Sequence, residues 1–395
     1  MNKKFIIPIV ICTIIVIAVI STCIGGSNKI ILTWETVPAS AEIRDSIELK
    51  VYVENSGSMD AYMCAGSTLK DAVFDYVSDL KRLTTACSLY YINSEVIPFK
   101  GDLNAYIKNL TPQSFAKAGG NRANTDLRKI LDKIVKANGK QTVSVFVSDC
   151  ILDIDQNAID HLGNCQVSIK NTFIEALVEN PSLGVEIIKL ESTFDGFWYC
   201  GDRKELLKNV KRPYYIWLIG DQKYLAEFNQ KVPVNNIIGG IKEYCAYATP
   251  QKIPFDINKS TYVANHSGKI YVELLVNLRG ALQSDKIYKN IAQYKSANPQ
   301  QVAVISVKDI TASNSPYSHV VTLEVANPET LKSETVSFSY PYLATWISNS
   351  DDTTGQNVKE NLDRTTGLMA LIKGVAEAYK NSTTYGSISF ELKNE

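Results

Sequence analysis

Histidine is scarce in this chain, with three residues in 395, at positions 161, 266 and 319. None of them neighbours a second metal ligand or a nucleophile motif. The cysteines form no C-x-x-C pair, and H-E-x-x-H, G-x-S-x-G and Walker-type phosphate-binding motifs are all missing. These absences argue against a zinc site and against the common hydrolase and nucleotide-binding classes, so catalysis is not the expected function.

An excess of either charge is also missing. Lysine and arginine total 41, as do aspartate and glutamate, and no basic stripe is visible. A nucleic-acid partner is therefore not expected. Apolar content of 45% and charged content of 21% are ordinary for a globular protein, and the length allows two domains.

The N-terminus carries a hydrophobic segment. Lys3 and Lys4 precede an uncharged run over residues 5–28, and about 20 apolar residues are enough to cross a bilayer. The two lysines would remain cytoplasmic, so residues 1–28 predict a membrane anchor with the bulk exported to a bacterial-type periplasm or cell surface. A cleaved signal peptide is one alternative. The other is a lipoprotein acylated at Cys23, because Ile-Ser-Thr-Cys23 is similar to a lipobox.

Six cysteines follow this leader. They are Cys64, Cys87, Cys150, Cys165, Cys200 and Cys245. An even number in an exported domain permits up to three disulfides, and we predict the pairs Cys150–Cys165 and Cys200–Cys245. Cys64 and Cys87 lie on helix and strand patterns, so buried free thiols are the alternative for these two.

Strand and helix patterns alternate over residues 47–240, after a linker at 29–46. Strands are predicted at 47–54, 87–93, 95–99, 143–147, 184–191 and 214–219, and helices at 68–83, 103–110, 126–137, 172–179 and 221–229. This alternation predicts an α/β domain with a doubly wound, mostly parallel, Rossmann-like sheet covered on both faces. Ligands of such sheets bind beyond the carboxyl ends of the strands.

Oxygen-bearing side chains follow two of these strands and end one loop. Glu54, Ser56 and Ser58 occupy alternate positions after the first strand, Asp149 follows the strand at 143–147, and Thr125 ends a Gly/Asn-rich loop. Oxygen ligands favour a hard cation, Mg²⁺ or Ca²⁺, over zinc. The alternative is that the serines and the threonine are turn formers and helix caps.

In this order the motifs resemble the von Willebrand factor A (vWA) family and its metal-ion-dependent adhesion site. That family has Asp-x-Ser-x-Ser after its first strand, a threonine in a later glycine-rich loop and an aspartate after its fourth strand. This chain has Glu54-Asn-Ser56-Gly-Ser58, then Thr125, then Asp149. The resemblance covers residues 47–235, about half the chain.

The resemblance implies that Ser56, Ser58 and Thr125 bind Mg²⁺, or Ca²⁺ or Mn²⁺, with Glu54 and Asp149 often acting through water. It also implies a protein partner that completes the coordination shell with an acidic side chain. One departure is that Glu54 stands where the family has aspartate. The extra methylene would let it replace a bridging water or crowd the site.

Residues 250–395 have a different, β-rich pattern. Strands are predicted at 271–278, 302–307, 320–325, 335–340 and 387–392, with one long helix at 357–380. The pattern predicts a mostly antiparallel, β-sandwich-like domain. A short strand at 30–33 could pair with this domain, which would make residues 47–240 an insertion.

Three functional hypotheses follow. The leading one is a membrane-tethered, exported binding protein of the cell envelope that engages a protein partner through a divalent cation. The second is a metal-free structural subunit of an envelope assembly. The third and least favoured is a metal-dependent hydrolase, for which the sequence identifies no general base.

Overall fold

The computed structural model describes residues 17–24, 28–37, 46–123, 125–154, 158–258, 263–264, 268–312, 314–380 and 384–394. The strands are β1 Ile17–Ile24, β2 Asn28–Glu35, β3 Glu48–Glu54, β4 Ala86–Ile92, β5 Val96–Pro98, β6 Thr142–Ser148, β7 Leu183–Cys200, β8 Arg203–Asp221, β9 Glu243–Tyr247, β10 Phe255–Ile257, β11 Val263–Ala264, β12 Ile270–Val276, β13 Tyr294–Ser296, β14 Val302–Asp309, β15 His319–Val325, β16 Ser333–Ser339, β17 Asp351–Asp352, β18 Thr365–Thr366 and β19 Thr384–Asn394.

The α-helices are α1 Leu69–Lys81, α2 Leu103–Lys108, α3 Pro112–Lys117, α4 Leu127–Lys136, α5 Ala158–Glu179, α6 Gln222–Lys231, α7 Asp285–Tyr288, α8 Thr345–Asn349 and α9 Leu368–Ala378. A 3-10 helix at Ser58–Met63 follows β3 directly. The fold is mixed α/β, as predicted.

A seven-stranded central sheet has the order β5-β4-β3-β6-β8-β7-β9. Its middle strands β4, β3 and β6 are parallel. The β3–α1–β4 crossover runs one way along the sheet, while the chain from β5 through α2, α3 and α4 to β6 runs back the other way. Because such crossovers are right-handed, they place their helices on opposite faces. Every residue of β6 is accordingly buried.

The prediction of a mostly parallel sheet is wrong, because four of the six neighbouring pairs are antiparallel. The cause is a long hairpin, in which β7 and β8 are joined by the two residues Gly201 and Asp202. A two-residue turn can connect only antiparallel strands. Gly201 has a φ of 57°, as tight hairpin turns require.

Two antiparallel sheets make up most of the remaining chain. One has the order β1-β2-β19-β16-β13, and the other has the order β10-β12-β15-β14 with β11 beside β12. Burial alternates along β12 and β15, so each has one covered face. The pairing expected for residues 30–33 is present, since β2 runs antiparallel to β19. The central sheet is thus inserted between two neighbouring strands of another sheet.

The predicted membrane anchor lies partly outside the described residues, which omit 1–16 and 25–27. Its described part forms β1, paired with β2. Among the helices that the structure describes, none combines the length and apolar character needed to span a bilayer.

Helix 357–380 is predicted too long, because α9 begins at Leu368. Gly367 has a φ of 76°, outside the helical region, and Thr365–Thr366 instead forms β18 beside β17. Conversely, the helix predicted at 172–179 begins earlier, at Ala158.

The disulfide predictions are wrong. All six cysteines in the described residues after the leader are free thiols, including both predicted pairs. Each of these four thiols is buried in its own environment. The Cys200 thiol, for example, donates to the Leu152 carbonyl oxygen at 3.5 Å. The alternative for Cys64 and Cys87, buried free thiols, holds in part, because both are free but only half-buried.

Candidate functional site

All five residues predicted from the sequence line one pocket of about 440 Å³. They are Glu54, Ser56, Ser58, Thr125 and Asp149. Strands β3 and β6 are parallel neighbours, with Val53 opposite Val147, so the loops that follow them leave the same edge of the sheet. Three separate loops therefore bring their oxygens together. Their role as metal ligands stays a prediction.

The two carboxylates of the site are almost completely buried. Glu54 is 3% exposed and Asp149 is 2% exposed. Burial raises the pKa of Glu54, and the neighbouring Asp149 carboxylate raises it further. Burial likewise raises the pKa of Asp149. A cation between two such groups would offset both the desolvation and their mutual repulsion.

Two oxygens at the pocket are unpartnered. Within the described part of the chain, Thr125 Oγ1 and Asp149 Oδ2 are buried and make no hydrogen bond. The Ser58 hydroxyl lies near enough to offset part of the rise in the pKa of Asp149, yet no bond of normal geometry reaches Oδ2. A buried oxygen without a partner costs roughly 1–3 kcal/mol. Both atoms are therefore available to a ligand.

The other oxygens of the site bond to one another or to nearby groups. Ser56 Oγ and Ser58 Oγ are 3.2 Å apart. Ser148, which ends β6, donates its hydroxyl hydrogen to Glu54 Oε2. The same hydroxyl accepts from the backbone N–H of Cys150 at 2.7 Å. Ser148 thus links the carboxyl ends of β3 and β6 directly beneath the pocket.

The chain turns sharply just after Asp149. Cys150 has a φ of 56°, in the left-handed region that non-glycine residues rarely occupy. Such a conformation costs on the order of 1–3 kcal/mol and persists only where the surroundings impose it. The hydrogen bond from Cys150 N–H to Ser148 holds this turn.

Arg122 joins the loop that carries Thr125 (the threonine loop) to the loop that carries Ser56 and Ser58 (the serine loop). The sequence analysis did not identify this residue. Its Nε donates to the Asn55 carbonyl oxygen at 2.7 Å and its Nη2 to Asp60 Oδ1 at 2.5 Å. In return, Gly57 N–H donates to the Arg122 carbonyl oxygen at 3.3 Å. A single arginine in a Gly/Asn loop was the one signal in the sequence.

Asn93, at the end of β4, joins the same two loops. Its Nδ2 donates to Asn55 Oδ1 at 3.1 Å and to the Gly119 carbonyl oxygen at 2.9 Å. Gly120 passes so close that a Cβ there would lie 2.0 Å from Asn93 Oδ1, and its φ is 71°. Only glycine fits this position.

The tip of the β7–β8 hairpin reaches the pocket as well. Tyr199 and Gly201 line it, together with Asp153. The Gly201 N–H donates to Asp153 Oδ1 at 3.1 Å, which holds the turn beside the site. Gly-Asp at a sharp end of an apolar stretch was a hairpin signal that the sequence interpretation did not use.

The third hypothesis, a hydrolase, gains no support from a Ser-His-Asp grouping elsewhere. Ser318 Oγ is 2.8 Å from His319 Nδ1, and His319 Nε2 is 3.4 Å from Asp309 Oδ1. Ser318 is buried, and its hydroxyl also accepts from the Leu278 N–H at 2.9 Å. This hydroxyl is held by the backbone, since it also donates to the Val276 carbonyl oxygen at 3.2 Å.

Metal sites built from three or more His, Cys, Asp or Glu residues are missing from the described ranges. The candidate site has a different composition, because hydroxyl groups supply three of its five side chains. Hydroxyl and carboxylate oxygens suit Mg²⁺, Ca²⁺ or Mn²⁺ and do not suit zinc.

The chain matches no protein-family model, and no curated protein sequence is similar to it.

Proposed function

We propose that this chain is a membrane-tethered, exported binding protein, in which a vWA-like domain engages a protein partner through a divalent cation. The observation that carries the proposal is the convergence of Glu54, Ser56, Ser58, Thr125 and Asp149 on one pocket in which two buried oxygens lack partners.

The vWA assignment is supported by the parallel strands β4, β3 and β6, by the antiparallel edge strand β5, and by motifs at the carboxyl ends of β3 and β6. The hairpin β7–β8 departs from a parallel sheet on the other side. Since that hairpin lies beyond β6, it leaves the three ligand loops in place.

The domain after residue 250 is proposed as a β-sandwich. Alternating burial along β12 and β15 supports this arrangement. So does the bond from Trp34 Nε1 on β2 to Asp256 Oδ1 on β10, 2.8 Å long, which joins the two antiparallel sheets.

In the proposed site, Ser56, Ser58 and Thr125 would hold the cation, and the Glu54 and Asp149 carboxylates would balance its charge. A bound cation supplies a desolvated positive charge that attracts a carboxylate of the partner. The chain's own part is to fix the oxygens. Arg122 and Asn93 set the loop positions, and Ser148 orients Glu54.

Membrane tethering rests on the uncharged run at residues 5–28 behind two lysines. Fractionation of cells that produce the full chain tests it. Recovery with membranes and release by detergent are expected, and recovery in the soluble fraction would remove tethering from the proposal.

Calorimetric titration of Mg²⁺ and Mn²⁺ into chelator-treated protein tests the cation site. Binding is expected for the wild type, and a loss of about tenfold or more in affinity for Ser58→Ala. Ser306→Ala is the matched control, because Ser306 lies on β14 in another sheet. No binding to the wild type, or equal binding to Ser58→Ala, would contradict the proposal.

The second candidate is a metal-free structural subunit, and one observation favours it. Burial raises the pKa of Asp149, and the buried guanidinium of Arg212 offsets part of that rise. A positive charge there substitutes for part of what a cation would do. On this hypothesis, the same titration gives no heat while Ser58→Ala still folds.

A further inference from the structure

Resting on the proposed function, we propose that the β7–β8 hairpin tip selects the partner. Its outer face, formed by Phe197, Tyr199, Lys204 and Leu206 and called the tip patch below, recognises an acidic peptide segment. The segment carries an apolar side chain next to the carboxylate that enters the cation site.

Three large apolar side chains are exposed together at the tip patch. Phe197 is 41% exposed, Tyr199 36% and Leu206 44%. Of the three exposed aromatic residues in the described ranges, two are here, and the third is Phe74 on α1. Scattered single apolar residues need no explanation, but a contiguous patch indicates a binding surface.

Strand pairing makes the patch contiguous. Phe197 lies opposite Leu206, and Tyr199 lies opposite Lys204. Opposed side chains are about 5 Å apart, and outward positions on one strand are about 7 Å apart. A surface of this size suits a short extended segment and is too small for a whole globular face.

The tip is joined from behind to the segment that follows β17. The Arg203 side chain donates to the Thr354 carbonyl oxygen at 2.5 Å, and Lys359 pairs with Glu205 at 2.6 Å. The inward residues Trp198 and Leu207 are buried. A surface ordered before binding loses less entropy on association, which favours recognition.

The tip patch adjoins the candidate cation site directly. Tyr199 belongs to both, since it also lines the pocket. Its ring is so near the serine loop that a Cβ on Gly57 would lie 3.4 Å from it. A segment whose carboxylate reaches the pocket can therefore place its neighbouring residue over Tyr199.

Charge determines the kind of segment. Lys204 Nζ lies 3.9 Å from the Phe197 ring centroid and 5.4 Å from that of Tyr199. Lys208 is exposed two residues beyond Leu206. Two lysines and the proposed cation together outweigh the exposed Asp202 of the turn, which favours an acidic segment over a basic or neutral one.

A displayed library of random dodecapeptides, selected on the full chain in Mg²⁺ and eluted with acid, tests the inference. The enriched peptides are expected to pair Asp or Glu with an adjacent aromatic or aliphatic residue. Their affinity should fall about tenfold or more in the double variant Phe197→Ser/Tyr199→Ser. The matched control, Phe74→Ser, should bind as the wild type does.

The Mg²⁺ affinity of the double variant, measured by calorimetry, separates the cation-site proposal from the tip-patch proposal. This affinity should equal that of the wild type. If Mg²⁺-dependent peptides bind the double variant as tightly as the wild type, the tip-patch proposal is wrong and the cation-site proposal is unaffected. Peptides that bind equally in EDTA would overturn both. Failure to enrich any acidic–apolar peptide overturns the tip patch. The tip-patch proposal is also overturned if no such peptide is enriched but the protein binds phosphatidylcholine–phosphatidylglycerol vesicles through the tip. That result would indicate that the tip contacts a membrane surface.

Discussion

The guanidinium of Arg122 lies 2.7 Å from the carbonyl oxygen of Asn55 and ties the threonine loop to the loop that carries the two serines. A second arm of the same side chain reaches Asp60. Neither contact involves an oxygen of the candidate cation site. Arg122 therefore acts on the site through the positions of the loops.

Arg122→Ala should lower the free energy of unfolding by about 2 kcal/mol, because hydrogen bonds to a charged group are removed together with the ion pair. Cation affinity should fall at the same time. Hydrogen exchange should accelerate at residues 55–60 and 119–123, and calorimetry should report the affinity.

Arg82→Ala is the control for that variant. Arg82 pairs with Asp79 at the surface, and its side chain is 75% exposed, so its loss should change stability little. Equal exchange rates at the two loops in Arg122→Ala and wild type would contradict the positioning role.

Thr125→Val should distinguish a ligand from a cap. In chelator the variant should be as stable as the wild type or more stable by roughly 1 kcal/mol, because a buried hydroxyl without a partner is removed. In Mg²⁺ it should gain less stability than the wild type does. Urea unfolding with and without Mg²⁺ measures both.

The matched control is Thr365→Val. Thr365 is also buried, but its hydroxyl is 3.0 Å from the Tyr215 hydroxyl. This variant should lose about 1 kcal/mol or more in both conditions, since Tyr215 is left unpaired. A similar loss in Thr125→Val in chelator would show that the Thr125 hydroxyl has a structural partner.

Gly120→Ala should destabilise the protein by at least about 1 kcal/mol, because a Cβ would overlap Asn93 and because the φ is positive. Gly163→Ala is the opposite case. Gly163 lies in α5, and a Cβ there meets nothing within 4 Å. It should stabilise by up to about 1 kcal/mol. Thermal unfolding of the pair checks both signs.

Glu186 predicts a pH dependence of stability that is separate from the candidate site. Burial raises its pKa from 4.5 to about 7, although Asn229 donates to it. The folded state thus keeps the proton to a higher pH than the unfolded state does. The contribution of Glu186 to the free energy of unfolding is fully present below about pH 4.5 and is lost as the pH rises to about 7.

Glu186→Gln should remove that slope, which amounts to on the order of 3 kcal/mol. The variant should match the wild type in acid and exceed it above neutrality in urea unfolding. Glu391→Gln, an exposed residue on β19, is the control. An unchanged slope in Glu186→Gln would contradict the buried-carboxyl explanation.

Much of the site was predictable because its signals are local. The alternating pattern before Glu54 and the apolar stretch before Asp149 each predict a strand followed by a polar turn, and both strands are present. Parallel neighbours then place the two turns at one edge. The Thr125 loop needed the family resemblance, since neither its length nor its composition locates it over that edge.

The sequence by itself determined the strands, the turns and the oxygen types that meet at the pocket, because side-chain periodicity and turn chemistry depend on near neighbours. Tertiary structure alone decided what long-range packing controls. It paired β8 antiparallel to β6, set Tyr199 and Gly201 beside the pocket, left Cys150 and Cys165 apart as thiols, and delayed the start of α9 until after Gly367. Each of these outcomes depends on contacts between residues far apart in the chain, which no local pattern records.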